Sequence, residues 1–271
     1  MPELPDIYVL AKSMDKALKS KTISGATVNQ PKCLNRSATS FVRAIKGRKI
    51  EQVWQRGKWV IIDLHNGGKL ALNQGMGGSV ILHKNDEIPD PKQVRVMILF
   101  EDGDQIWINH WWFGHVHLLP NGDFSKHKQL ARLGPEPLSE EFTINTLAKI
   151  LEKKRGRIKS YLLDQSFIAG IGNVYVQDIL WHAKLHPERK ANSLDLGDIK
   201  RLYKAIRLVL NKGIKYGGGP MEFDVWGNEG KYSKHLKVGY RTGKPCPKCH
   251  TSVEEIRVGS TTSYICPKCQ I

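Results

Sequence analysis

Four cysteines near the C-terminus impose the tightest constraint on this chain. Cys246-Pro-Lys-Cys249 and Cys266-Pro-Lys-Cys269 are two CxxC pairs with 16 residues between them. That spacing sets four thiolates on two knuckles joined by a hairpin, the tetrahedral donor set of one structural Zn2+. Such a metal contributes ~10 kcal/mol or more and holds a segment too short to build its own core. Its role is structural rather than chemical. The fifth cysteine, Cys33, stands alone and reads as a half-buried thiol without a chemical role.

Upstream, hydrophobic periodicity divides the chain. Ile7, Leu10, Met14 and Leu18 recur at helical steps and predict a helix from Asp6 to about Lys21. From Thr22 to Leu119 the pattern turns to short strand-like runs, among them 23–28, 49–53, 59–64, 70–72, 80–82, 95–100 and 105–109. Turn signals such as Asn66-Gly67-Gly68 separate them, which predicts a β-sandwich or barrel with one leading helix. Leu133-Gly134-Pro135-Glu136-Pro137-Leu138 marks a boundary, and helices are expected at 140–142 behind Ser139, then at 144–151, 158–164, 173–183 and 196–212. Gly217-Gly218-Gly219-Pro220 closes the helical part, and 221–236 reads as a polar loop. The expected architecture is α+β and multidomain: an N-terminal β-sandwich domain at 1–120, a linker at 121–134, a helical domain at 135–230 and a zinc ribbon at 231–271.

Lysine and arginine exceed aspartate and glutamate by 42 to 26, a formal net charge of +16. An excess of this size points to a polyanionic partner, with nucleic acid first. The ribbon shares it: from Lys231 onward eight Lys and Arg face two Glu. A membrane surface fits less well, because no basic amphipathic helix with a bulky apolar face is present. No apolar run approaches the ~18 residues of a span, and no secretory signal opens the chain. A soluble, intracellular, monomeric protein is expected, cytoplasmic and nucleoid-associated if its source is bacterial.

The first residues, Met1-Pro2-Glu3-Leu4-Pro5-Asp6, carry the candidate chemistry. Removal of Met1 leaves Pro2 as the terminus, with a free secondary amine. An α-amino group titrates near ~8 against ~10.4 for lysine, so at neutral pH a few hundred times more of it is unprotonated. Such an amine attacks a sugar C1′ to give an iminium, and Glu3 stands beside it to move protons. Taken alone, the same residues also fit an ordinary helix start. A second stretch, Leu163 to Tyr175, holds Gly170 and Gly172 for a tight turn ahead of Asn173, whose side chain and neighbouring N–H groups suit a phosphate. That stretch fits a DNA-contacting helix–turn–helix and a plain helix hairpin equally.

In combination these motifs resemble the formamidopyrimidine-DNA glycosylase and endonuclease VIII family of base-excision repair enzymes. The resemblance is carried by PELPD at Pro2, RGKW at Arg56, LGPEPL at Leu133, LLDQSFIAGIGNVY at Leu162 and the terminal CxxC pairs, and it spans essentially the whole chain. Leu4 and LGPEPL lean toward the formamidopyrimidine branch. The resemblance implies a helix–two-turn–helix domain, a DNA cleft between it and the sandwich, and double-stranded DNA carrying a damaged base or abasic site as partner. By position it makes Pro2 the nucleophile at C1′ and Glu3 the acid at the sugar ring oxygen. Lys58, expected in the strand after Gly57, then contacts phosphate beside the lesion, as do Asn173, with Gly172 before it, and Arg241. Cys246, Cys249, Cys266 and Cys269 hold the zinc.

Three positions depart from the family pattern. Thr261 stands where the family has a hairpin arginine five residues before the third cysteine; losing that charge-assisted contact weakens lesion binding by ~1.5–3 kcal/mol. In Asn109-His110-Trp111-Trp112-Phe113-Gly114, Phe113 matches the family's wedge and Trp111 replaces its arginine, while Met76 matches the wedge methionine. A tryptophan stacks well but cannot make an arginine's hydrogen bonds to the opposite base. Taken as core aromatics, Trp111 and Trp112 would instead end a strand. Third, Val238-Gly239-Tyr240-Arg241 stands where relatives often have tyrosine before glycine, with Arg241 retained. The leading expectation is a DNA glycosylase with AP lyase activity that removes an oxidised base and cuts the strand by elimination. The alternatives are a damaged- or abasic-DNA binding protein with weak or no glycosylase activity, and a zinc-ribbon RNA-binding protein.

Overall fold

The computed structural model describes residues 1–84, 87, 90 and 92–271. The chain forms two compact units: residues 1–131 with 217–230, and residues 132–216 with 231–271.

The first unit opens with α1 (Leu4–Leu18). The helix starts two residues earlier than periodicity predicts, because Glu3 and Asp6 form a capping box and Pro5 sits in the first turn, where its missing N–H costs nothing. It ends at Leu18, ahead of Ser20 in the left-handed region at φ 72°. Ile7, Leu10, Met14 and Leu18 are all buried. Strand β1 (Ile23–Val28) follows, then α2 (Ala38–Ile45), capped by Ser37. Then come β2 (Ile50–Arg56), β3 (Trp59–Leu64), β4 (Lys69–Asn73), β5 (Ser79–His83), β6 (Val96–Phe100), β7 (Gln105–Asn109) and β8 (His115–Leu119). They make two antiparallel four-stranded sheets, ordered β1-β6-β7-β5 and β2-β3-β4-β8. Inward residues of both sheets, with α1 and α2, share one apolar core, which makes this unit a β-sandwich with a leading helix. The Cys33 thiol is fully buried in that core rather than half-buried, and burial pushes it up to about 11.

The stretch 217–230, expected with the helical domain, belongs to this first unit. Its Val225 lies in the sandwich core. Val225 N–H donates to Ser13 Oγ at 3.0 Å, and its carbonyl accepts from Leu82 N at 2.8 Å. These bonds hold a segment that composition alone marks as a free loop.

The second unit contains α3 (Ile144–Leu151), α4 (Ile158–Leu163), α5 (Tyr175–Ala183) and α6 (Leu196–Lys215), then the hairpin β9 (Glu254–Val258) and β10 (Thr261–Ile265). Residues 140–142 form bends rather than a helix; Thr143 caps α3 by accepting from Thr146 N at 3.1 Å. The ribbon, expected as a domain of its own, packs in this unit. Asp178 on α5 is fully buried and accepts from the backbone N–H groups of Lys237 at 2.8 Å, Val238 at 3.0 Å and Gly239 at 3.3 Å. Gln177 accepts from Tyr264 N at 3.1 Å, and Lys159 on α4 donates to Ser263 Oγ at 2.7 Å and to the Thr262 carbonyl. Among the described residues, no helix is long and apolar enough to cross a membrane.

Replacing Asp178 with alanine strands buried N–H groups and removes the tie between α5 and residues 237–239. We expect a loss of about 3 kcal/mol in urea unfolding of the second unit. A loss below about 1 kcal/mol would mean these groups find other partners.

Candidate active site

In the first unit the catalytic candidates gather around the start of α1. Pro2 and Glu3 are buried, while Met1 is exposed. Glu3 is the N-cap residue, and its N–H donates to Asp6 Oδ2 at 2.7 Å. Asp6 Oδ1 accepts from Gly219 N–H at 2.8 Å, which brings 217–230 over this turn. Gly218 permits that approach: its φ is +96°, and a Cβ there would meet Asp6 Oδ1 at 2.9 Å.

Lys58 lies in the two-residue turn between β2 and β3, not in a strand. Arg56 pairs with Trp59 across it, and Gly57 at φ 58° supplies the left-handed first position of a tight hairpin turn. Asn73 Nδ2 donates to the Lys58 carbonyl at 2.9 Å and fixes the turn. Burial pulls the Lys58 ammonium below its ordinary range, while the charges of Glu3 and Asp6 hold it up. The next residue, Trp59, is buried and stacks on His115 with ring centroids 5.8 Å apart.

The candidate wedge residues Met76, Trp111 and Phe113 sit on two clasped loops. Met76 N–H donates to the Trp112 carbonyl at 2.9 Å, and Trp111 N–H donates to the Met76 carbonyl at 3.0 Å. Trp111, Trp112 and Phe113 are 65%, 59% and 74% exposed, which rules out the reading of Trp111 and Trp112 as core aromatics. Gly75 allows the clasp, since a Cβ there would lie 2.0 Å from the Trp112 carbonyl oxygen. Phe113 has φ 59°, a conformation rare for a bulky residue and one that concentrates at functional sites.

In the second unit the 163–175 stretch is organised by Gln165. Its amide donates to the carbonyls of Leu163 and Ile171 at 2.9 Å, and its Oε1 accepts from Gly170 N at 2.8 Å. Gly170 has φ 96°; Gly172, expected to need the same region, does not. Asn173 precedes α5 by two residues instead of opening it, and its Oδ1 accepts from Gln177 Nε2 at 3.1 Å. Gln177 also donates to the Thr262 carbonyl at 3.2 Å and so links Asn173 to β10. Arg241 is half-buried in the turn before the cysteines. Thr261 Oγ1 donates to the Val258 carbonyl at 3.3 Å, which closes the hairpin.

Sequence reasoning missed Lys159 and Gln177, which carry the ribbon, and Glu222, which faces Glu3 and Asp6. Nothing in local pattern separates these from ordinary polar residues; only their burial does. Burial pulls the Lys159 ammonium down to about 8.

The four ribbon thiols lie within 4.8 Å of one another, with Cys249 Sγ 3.3 Å from Cys266 Sγ and 3.4 Å from Cys269 Sγ. A tetrahedral Zn–S4 site has sulfurs ~3.8 Å apart, so this donor set fits one zinc ion.

Comparison with known sequences gives three successive matches. The formamidopyrimidine-DNA glycosylase N-terminal domain matches residues 1–111, its H2TH domain residues 133–224, and a zinc finger found in FPG and IleRS residues 243–271. The formamidopyrimidine-DNA glycosylase of Chloroflexus aggregans is 37% identical over 260 residues, 94% of each chain, and that of Bacillus cereus 35% over the same share. The crystal structure of Lactococcus lactis Fpg with abasic-site DNA superposes with a TM-score of 0.91 at 29% identity, covering 99% of both chains. The chain belongs to the formamidopyrimidine-DNA glycosylase family, and it carries that family's zinc finger, with Cys246, Cys249, Cys266 and Cys269 placed to hold one ion.

Stripping the zinc with a strong chelator should release one equivalent per chain and open 243–271 to protease, while the sandwich stays folded. Protection of the ribbon after complete zinc loss would contradict a metal-held fold.

Proposed function

We infer that this chain is a base-excision DNA glycosylase with AP lyase activity, using Pro2 as nucleophile. The observation that supports it furthest is the constellation at the start of α1: Pro2 beside a buried Glu3 on a capped helix end, with the Lys58 ammonium under the influence of Glu3 and Asp6. Removal of Met1 frees the Pro2 amine. A damaged base leaves the stack before its glycosidic bond can be reached. The amine then bonds to C1′ as the glycosidic bond breaks and the base departs, Glu3 takes the proton from the new ammonium and delivers it to the sugar ring oxygen as the ring opens, and the resulting iminium acidifies the C2′ proton for elimination of the 3′ phosphate. One chemistry thus removes the base and cuts the strand.

The remaining residues bind. Lys58 holds a phosphate beside the lesion, and Asn173, with Gly172 before it, and Arg241 hold others from the second unit. Met76, Trp111 and Phe113 fill the gap left by the extruded nucleotide. The partner is duplex DNA, met by a monomer at the bacterial nucleoid; the net charge of +16 and the bacterial source of the similar proteins support this. Zinc supplies no step of the reaction; it keeps the β9–β10 hairpin formed.

Borohydride added to processed protein on a duplex with one abasic site should trap a covalent adduct on the N-terminal peptide. Retention of Met1 should abolish it while DNA binding persists. An adduct elsewhere, or none from protein shown by mass to begin at Pro2, overturns the assignment.

A guanidinium reading the opposite base would contribute ~1–3 kcal/mol of discrimination, whereas stacking of Trp111 contributes almost none. Excision opposite C, A, G and T should therefore agree to within about threefold, and Trp111→Ala should lower all four alike. A spread above about tenfold would show that another residue reads that base.

A further inference from the structure

We propose that Glu222 is a further catalytic residue, the acid that protonates the damaged base as it leaves C1′. The proposal rests on the Pro2 reading above and adds a second proton donor to it.

Its geometry comes from the segment 217–230. Two ties hold this segment on α1: Gly219 N–H to Asp6 Oδ1 at 2.8 Å and Val225 N–H to Ser13 Oγ at 3.0 Å. Glu222 lies between them. The segment folds back on itself, with Gly230 N–H donating to the Glu222 carbonyl at 2.9 Å and Met221 N–H to Glu229 Oε1 at 2.8 Å. Met221 holds φ 61°, an unfavourable backbone for that side chain, and such conformations persist where the surroundings impose them. Its effect is to turn Met221 outward, 78% exposed, while the next side chain is half-buried.

The half-buried carboxyl of Glu222 faces Asp6, Glu3 and the amine of Met1, the residue next to Pro2. Lys58 in turn faces Glu3 and Asp6 from the β2–β3 turn, and Glu229 on the same segment is engaged by Met221 N–H. Burial, then the negative charges of Asp6 and Glu3, push the Glu222 carboxyl up to about 8, with the Met1 ammonium pulling the other way. Neighbouring carboxyls in unlike environments divide acid and base work between them. Here Glu222 is the member that keeps its proton at neutral pH.

The step balances. The Pro2 nitrogen lone pair forms the bond to C1′ while the bond from C1′ to the base breaks. That electron pair departs on the base, the Glu222 proton joins the ring nitrogen or carbonyl oxygen bearing it, and Glu222 is left as carboxylate. Glu3, ionised at the outset, then takes the proton from the new Pro2 ammonium and passes it to the sugar ring oxygen. An abasic site has no base to expel, so its cleavage does not need this proton.

The test compares single-turnover base release with borohydride trapping on an abasic duplex, for wild type and Glu222→Gln. The release substrate is whichever of a formamidopyrimidine duplex and an oxidised-pyrimidine duplex the wild type processes faster. Release by Glu222→Gln should fall about 100-fold, far more than trapping does. The wild-type release rate should decline above a pH of about 8, where Glu222 ionises, and that limb should vanish in the glutamine variant. Glu222→Asp, which keeps the acid on a shorter arm, should restore part of the rate. Equal losses in release and trapping, or a decline above pH 8 that survives in Glu222→Gln, overturn the proposal. Wild-type protein that begins at Pro2 and traps no abasic DNA overturns the Pro2 reading and this one with it, an outcome distinct from a defect confined to the variant.

Discussion

The carboxylate of Asp6 joins two stretches 213 positions apart in sequence. One oxygen accepts from Glu3 N–H at 2.7 Å and the other from Gly219 N–H at 2.8 Å. The first bond closes the capping box and fixes where α1 begins, and hence where Pro2 and Glu3 sit. The second holds the glycine-rich start of 217–230 against that turn. Charge-assisted bonds from N–H to carboxylate are among the stronger hydrogen bonds available, and both partners here are backbone, with little side-chain entropy to lose. The arrangement requires glycine at 218, because any Cβ there would press on the same carboxylate. Pro2, the proposed nucleophile, would have only one covalent connection to hold it once Met1 is removed, and this carboxylate fixes the turn that follows it.

The second unit solves the same problem of fixing a small, charged element. The hairpin β9–β10 has little apolar surface of its own, so zinc holds it internally and α4 and α5 hold it externally. Asp178, Gln177 and Lys159 each bind backbone or a hydroxyl of the segment that follows α6. Lys159 is the least expected of them. Burial pulls its amine down to about 8, and it donates to the Thr262 carbonyl and to Ser263 Oγ. Gln177 bonds both Asn173 and β10, and so ties the loop before α5 to the ribbon.

Legibility in the sequence followed the kind of information each element carries. Helix α1 was legible because four apolar residues at helical spacing fill one face, and β1, β3 and β7 because turn signals bracket β-rich runs. Strand β8 is hard to read because His115 and His117 alternate with the buried Val116 and Leu118, and packing on Trp59 leaves the two histidines only half-buried. Helix α2 was missed because just two of its residues, Phe41 and Ile45, are buried, too few for a period. The packing of 217–230 with the first unit is not legible in the sequence, because two of its attachments are backbone N–H groups meeting side-chain oxygens, which leave no trace in hydrophobic pattern. The same holds for the site: Pro2, Glu3 and the cysteines stand in contiguous motifs, whereas Glu222 joins them only through the fold.

Affinity and chemistry are separately built in this chain. The start of α1 holds proton-transfer groups in a buried setting, where a change of charge has large consequences. The exposed surface carries the excess of lysine and arginine, which favours phosphate without reading sequence. Thr261 shows how far the two can diverge. Its hydroxyl is turned into the hairpin to meet the Val258 carbonyl, so it does not replace the phosphate contact of an arginine. The wedge shows the same separation: Trp111 and Phe113 offer area for stacking and no hydrogen bond specific to a base. On the proposed reading, a chain that grips DNA by charge, opens it by stacking and places its proton donors around one capped helix end gains its selectivity at the step where the base departs. That is where a neutral acid beside Glu3 has the greatest leverage, because bases differ more in how readily they leave with a proton than in how they stack.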